Sequence, residues 1–144
     1  MQLHPAFHRF GATMDIDALR RLCLSFPGST EQIQWGDSLL FKVRGKMFAV
    51  THLEPSDVWI SFKVTPDNFV ELTERGGIIP APYLARANWV AIESPTILPT
   101  PELASLLRES YELILAKLPR KIRESLANSA RPKTMRVPLK AAKK

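Results

Sequence analysis

The stretch Ser38-Leu39-Leu40-Phe41-Lys42-Val43-Arg44-Gly45-Lys46-Met47-Phe48-Ala49-Val50-Thr51-His52, followed by Val58-Trp59-Ile60-Ser61-Phe62-Lys63-Val64, decides the fold. Over 38–44 the side chains alternate. Leu39, Phe41 and Val43 fall on one face and Leu40, Lys42 and Arg44 on the other. Arg44-Gly45 reads as a tight hairpin turn, because glycine accepts a positive φ. Residues 46–52 then form the return strand. In 58–64, Val58, Ile60, Phe62 and Val64 point one way, and Trp59, Ser61 and Lys63 the other. Strands joined by short turns make an antiparallel sheet with one buried face.

Helices flank this sheet. Upstream, Asp15 caps a segment in which Ile16, Leu19, Leu22, Cys23 and Phe26 recur at helical spacing, and Pro27-Gly28 stops it. Downstream, Thr65-Pro66-Asp67 supplies a capping hydroxyl, a proline for the first turn and an acid for the positive end of the helix dipole. Gly76-Gly77 closes that helix. Residues 78–86, with Pro80 and Pro82, read as an ordered loop, and 88–93 as a further strand. Thr100-Pro101-Glu102 repeats the helix-opening chemistry. Leu103, Leu106, Leu107, Ser110, Tyr111, Ile114 and Leu118 trace one face of the helix it starts. Pro119 breaks it, and Leu118, Ile122 and Leu126 carry a short last helix. The order predicts an α+β two-layer sandwich, an antiparallel sheet with helices packed on one face. The domain spans 14–130, between an N-terminal extension, 1–13, and a basic C-terminal tail, 131–144. Either Met1 or Met14 can be the start.

The 144 residues are 45% hydrophobic and 24% charged, enough for one sizeable core. They exclude a disordered chain, a disulfide-stapled miniprotein and, with no run of 18 apolar residues, a transmembrane helix. The net charge of +6 is unevenly placed: six of the 20 basic residues lie in 131–144 with no acid, leaving 14 against 14 in the remainder. The tail attracts polyanions without discrimination. A single cysteine, Cys23, fits a reducing compartment, and no secretory signal is visible, so a cytoplasmic location is expected.

Catalytic signatures are missing: no G-x-S-x-G, H-E-x-x-H or glycine-rich phosphate loop occurs. The chain is therefore expected not to be an enzyme and to need no cofactor or metal. His4 and His8 stand four apart but flank Pro5, with no third ligand nearby. His52 reads as a surface or edge histidine. Cys23, on an apolar stripe, reads as an inert buried thiol. Lys42, Arg44, Lys46, Trp59 and Lys63 form a more informative group. Cations beside an aromatic on the outward sheet face can hold phosphates and stack a base; the same residues also suit a solvated sheet face. Trp35 and Trp89 read as core or as pocket walls.

In order, Phe26-Pro27-Gly28, Trp35-Gly36-Asp37, Phe41-Lys42-Val43, Gly45-Lys46-Met47-Phe48-Ala49 and Ser61-Phe62-Lys63 resemble the MmcQ/YjbR family. So do Gly77-Ile78-Ile79-Pro80-Ala81-Pro82-Tyr83-Leu84, Asn88-Trp89-Val90, Ser110-Tyr111-Glu112-Leu113 and Ala116-Lys117-Leu118-Pro119. The resemblance covers about Met14 to Arg120. It implies a compact α+β domain of CyaY-like or secretion-chaperone-like type, DNA binding through two β-hairpin wings, and no enzymatic activity. The family's asparagine, lysine pair and histidine before the late tryptophan are here Ala85-Arg86-Ala87-Asn88, so only Arg86 keeps a cation of any anion site there.

Two functions follow as expectations. One is mostly electrostatic, non-specific DNA binding, with Lys42, Arg44, Lys46, Trp59, Lys63 and Arg86 as contacts and the tail assisting. The other is a module for a protein or small ligand, with a pocket near Trp35, Tyr83 and Trp89. A contiguous positive face favours the first, and a concave apolar pocket the second. No membrane partner is expected.

Overall fold

The computed structural model describes residues 14–129. Helix α1 (Ile16–Leu24) leads into strands β1 (Ser29–Gln34), β2 (Ser38–Val43), β3 (Lys46–His52) and β4 (Ile60–Lys63). Helix α2 (Pro66–Thr73), strands β5 (Ile78–Pro80) and β6 (Trp89–Ile92), and helices α3 (Thr100–Leu115) and α4 (Arg120–Ser129) complete it. All six strands join one antiparallel sheet in the order β1-β2-β3-β4-β6-β5. This is the α+β sandwich the sequence predicts.

The helix signals act as read. The Asp15 carboxylate accepts from the Ala18 N–H at 2.8 Å, and the Thr65 hydroxyl accepts from the Asn68 N–H at 3.1 Å. Helix α3 begins one residue earlier than its sequence signal suggests, with Pro99 in the capping position. Its buried face is Leu103, Leu106, Leu107, Ser110, Tyr111 and Ile114. That face and Leu19, Cys23, Leu72 and Leu126 of the other helices cover Leu39, Phe41, Val43, Phe48, Ile60 and Phe62 of the sheet. Tyr111 meets Phe26 and Phe48 at ring distances of 5.1 and 5.6 Å and donates its hydroxyl to the Pro27 carbonyl at 2.6 Å. Gly28, at φ +74°, presses its open side on Leu126, so α4 is seated against a position without a side chain.

Two strands escape the sequence reading, and both are edges. β1 carries Glu31, Gln32 and Gln34 and shows no apolar alternation. β5 lies inside the segment expected to be a loop; its Pro80 is tolerated because an edge strand has a side with no partner to bond. A bulge shifts the β2–β3 register at Phe41/Lys42. Phe48 and Ala49 therefore both enter the main core, and Met47 turns to the outer face. That outer face is not simply polar. Leu40, Val50, Ala81, Trp89 and Ala91 form a second, smaller apolar cluster on it, partly roofed by the chain running from β5 to β6. Among the described residues no helix is long and apolar enough to cross a membrane.

Candidate functional site

The sheet register sorts charge. β2 ends, β3 begins, β4 ends and β6 begins at the same end of the sheet. That end carries Lys42, Arg44, Lys46, Lys63 and Arg86. Arg44 and Lys46 are exposed on a two-residue hairpin turn, with Arg44 and Gly45 at φ +51° and +80°. Arg86 is exposed on the 3-10 turn Ala85–Ala87 just before β6. Two of the five are tethered: the Lys42 ammonium donates to Gln32 at 2.6 Å and that of Lys63 to the Ala87 carbonyl at 2.5 Å. Partial burial, and then the Lys117 ammonium beside it, lower the Lys63 pKa from its ordinary value. Neither lysine forms an ion pair with a described residue. Of the carboxylates in the helix layer, Glu109 is held by Asn68 and Glu112 by Arg108, while Asp67 stands exposed in the first turn of α2.

The opposite end is acidic. It holds Asp37, Glu54, Asp57 and Glu93, while Arg75 there is held between Glu71 and Glu102 at 2.8 and 2.9 Å. Residues 14–129 contain thirteen basic and fourteen acidic residues. The neutral total thus conceals a sheet with one basic and one acidic end.

Trp59 does not join the cations. It precedes β4, outside the ladder's alternation, and packs against the helix-side core instead of sharing the outer face with Lys42 and Lys63. Its carbonyl accepts from the buried Thr51 hydroxyl at 2.6 Å. The expected stacking partner for a base is therefore absent from the basic end.

A groove of about 660 Å³ opens on the outer face. Met47 and Val50 of β3, Ser61 of β4, Val58 just before it and Leu84 line it, with Trp35 and Tyr83 among its walls. Trp35 is 68% exposed and Tyr83 fully so, and both sit in the left-handed region, at φ +53° and +67°. Trp89, expected beside them, is buried in the outer cluster and does not line the groove. His52 and Ser38 are cross-strand partners there, 3.5 Å apart through Nδ1 and Oγ.

Cys23 is fully buried, and burial pushes its thiol pKa up to about 12, the reverse of an activated nucleophile. Among the described residues no group of three or more His, Cys, Asp or Glu could hold a metal. His4 and His8 lie outside the described residues, as does the basic tail.

Comparison with known proteins follows the fold. The family model described as YjbR matches residues 24–113. The crystal structure of Deinococcus radiodurans protein DR2400, with a domain described as DUF419, is similar at 31% identity and a TM-score of 0.72, over 80% of this chain and 89% of that one. A structure of a protein from Pseudomonas syringae has the same fold at 20% identity and a TM-score of 0.59, over 69% of this chain and 98% of the other. No curated protein matches.

Proposed function

Given that the chain belongs to the YjbR family, we propose that it is a non-catalytic module that binds the phosphate backbone of DNA through the basic end of its sheet. One observation carries this reading: Lys42, Arg44, Lys46, Lys63 and Arg86 converge there, where Lys63 and Lys117 already repel each other. Two ammonium groups without a carboxylate partner favour a bound anion, because the anion removes their mutual repulsion. The contacts are to phosphate and carry no sequence information, since the aromatic expected to stack on a base packs in the core. Arg44 and Lys46 project from the β2–β3 turn and Arg86 from the turn before β6, across β4 at the same end of the sheet, so one backbone can run along the three. The segment 131–144 adds six further cations.

A salt titration of duplex-DNA binding tests this. Each phosphate neutralised adds about 0.9 to the slope of log affinity against log salt. Replacing Arg44, Lys46 and Arg86 together by alanine should lower the slope of the full chain by roughly two to three and weaken every DNA sequence alike. An unchanged slope, or a full chain without salt-dependent affinity, overturns the reading.

A further inference from the structure

The groove runs along the outer face, from Trp35, His52 and Asp57 at the acidic end to Pro82, Tyr83 and Leu84 in the β5–β6 connection. Its lining contains no lysine or arginine, and Asp57 is the one charged side chain among its lining residues. Asp37 and Glu54 stand in the two turns that bracket the same end, which are joined by the Leu53 N–H donating to the Asp37 carbonyl at 2.8 Å. None of these three carboxylates forms an ion pair with a described residue. These carboxylates oppose a phosphate backbone at the Trp35 end of the groove.

The aromatic walls are the second observation. A bulky side chain in the left-handed region costs about 1 kcal/mol or more, and an exposed aromatic ring returns nothing to folding. Trp35 and Tyr83 both do this, on separate loops, facing one cavity whose floor is Met47, Val50, Val58 and Leu84. Backbone geometry holds the two rings away from the core, where a partner can cover them. Rings this exposed are poorly enclosed by a small molecule but suit the buried anchors of a protein interface.

We infer that the groove is a docking site for an extended, basic segment of a partner protein, whose apolar side chains lie on the Met47–Val50–Val58–Leu84 floor and whose lysine or arginine sits between the Trp35 face and Asp57. A guanidinium or ammonium over an indole gains from the ring quadrupole, and the carboxylate adds a charge-assisted hydrogen bond. The β3 span from Met47 to His52 gives the floor a length of about 17 Å at roughly 3.3 Å per residue, room for five or six extended residues.

The test is selection from a random peptide library on the immobilised full-length protein, with counter-selection on Trp35→Asn to discard peptides held elsewhere. Recovered peptides should carry lysine or arginine next to apolar residues and should blue-shift the emission of the exposed Trp35. Asp57→Asn, or citrulline in place of the peptide's arginine, should weaken binding about tenfold. Peptides that depend on Trp35 but are neutral or acidic, or that ignore both changes, overturn the inference. So does recovery of no Trp35-dependent peptide. Concentration-dependent self-association abolished by Trp35→Asn would overturn it in favour of a second copy, presenting its Arg44-Gly45-Lys46 tip. Binding to DNA is scored separately and does not bear on these outcomes.

Discussion

Trp35 and Tyr83 set function against stability within single residues. Asparagine tolerates the left-handed region better than either aromatic, and it loses no buried surface at Tyr83 and only the smaller, covered part of the ring at Trp35. Trp35→Asn and Tyr83→Asn should therefore leave the melting temperature unchanged or raise stability by up to about 1 kcal/mol, while removing peptide capture. Thermal melts alongside the binding assay check this; a clear loss of stability would mean the rings support the fold. Cys23 has a pH signature of its own. Its folded pKa is raised from 9.0 to about 12 by burial. The stability this represents is whole below 9.0 and fades as pH climbs toward 12, because only the unfolded thiol ionises in that window. The stability difference between the native protein and Cys23→Ala should be constant near neutral pH and shift against the native protein across this alkaline range. Native thiol labelling should be no faster than unfolding.

Among the elements, α4 depends on a residue far away in sequence. Gly28 has positive φ, and any side chain there enters the space of Leu126. Gly28→Ala should cost about 2 kcal/mol or more in denaturant unfolding. Combined with Leu126→Ala it should cost about 1 kcal/mol less than the separate losses added together, because the two share one space. Tyr111→Phe, which strands the Pro27 carbonyl, should cost about 1 kcal/mol. The elements also divide by how well the sequence announces them. The helices were legible because apolar spacing marks each one, with side-chain caps at α1 and α2 and prolines at the starts of α2 and α3 and before α4. β2, β3 and β6 were legible as apolar strands. β1 and β5 were not, since an edge strand with polar or proline residues keeps no alternation to read. Trp59 fell on the wrong face because the ladder begins at Ile60, and extending period two by a single residue reverses the assignment.

For the whole molecule, composition misleads and topology informs. Residues 14–129 are nearly neutral, yet antiparallel pairing carries Lys42 and Lys63, distant in the chain, to one end and Asp37 and Asp57 to the other. No count along the chain contains that sorting; it needs the register. The groove was legible only as a set of candidate aromatics, and Trp89 left the set because it is buried. The six cations of 131–144 outnumber the freely exposed ones of the basic end, so they should dominate the strength of DNA binding. Deleting 131–144 should remove most of the salt slope, at about 0.9 per phosphate. A smaller slope that falls further when Arg44, Lys46 and Arg86 are replaced should remain, measured on the same duplex.

The bond from Tyr111 to the Pro27 carbonyl spans 84 positions of chain. It has a consequence for synthesis. Strands β1 to β4 pair with their neighbours in sequence and can assemble as they leave the ribosome. Their apolar face then waits for α3, which supplies Tyr111, Leu103 and Leu107, the side chains that cover it. Until α3 emerges, the growing sheet offers Phe41, Phe48 and Phe62 to any chaperone or neighbouring nascent chain within reach.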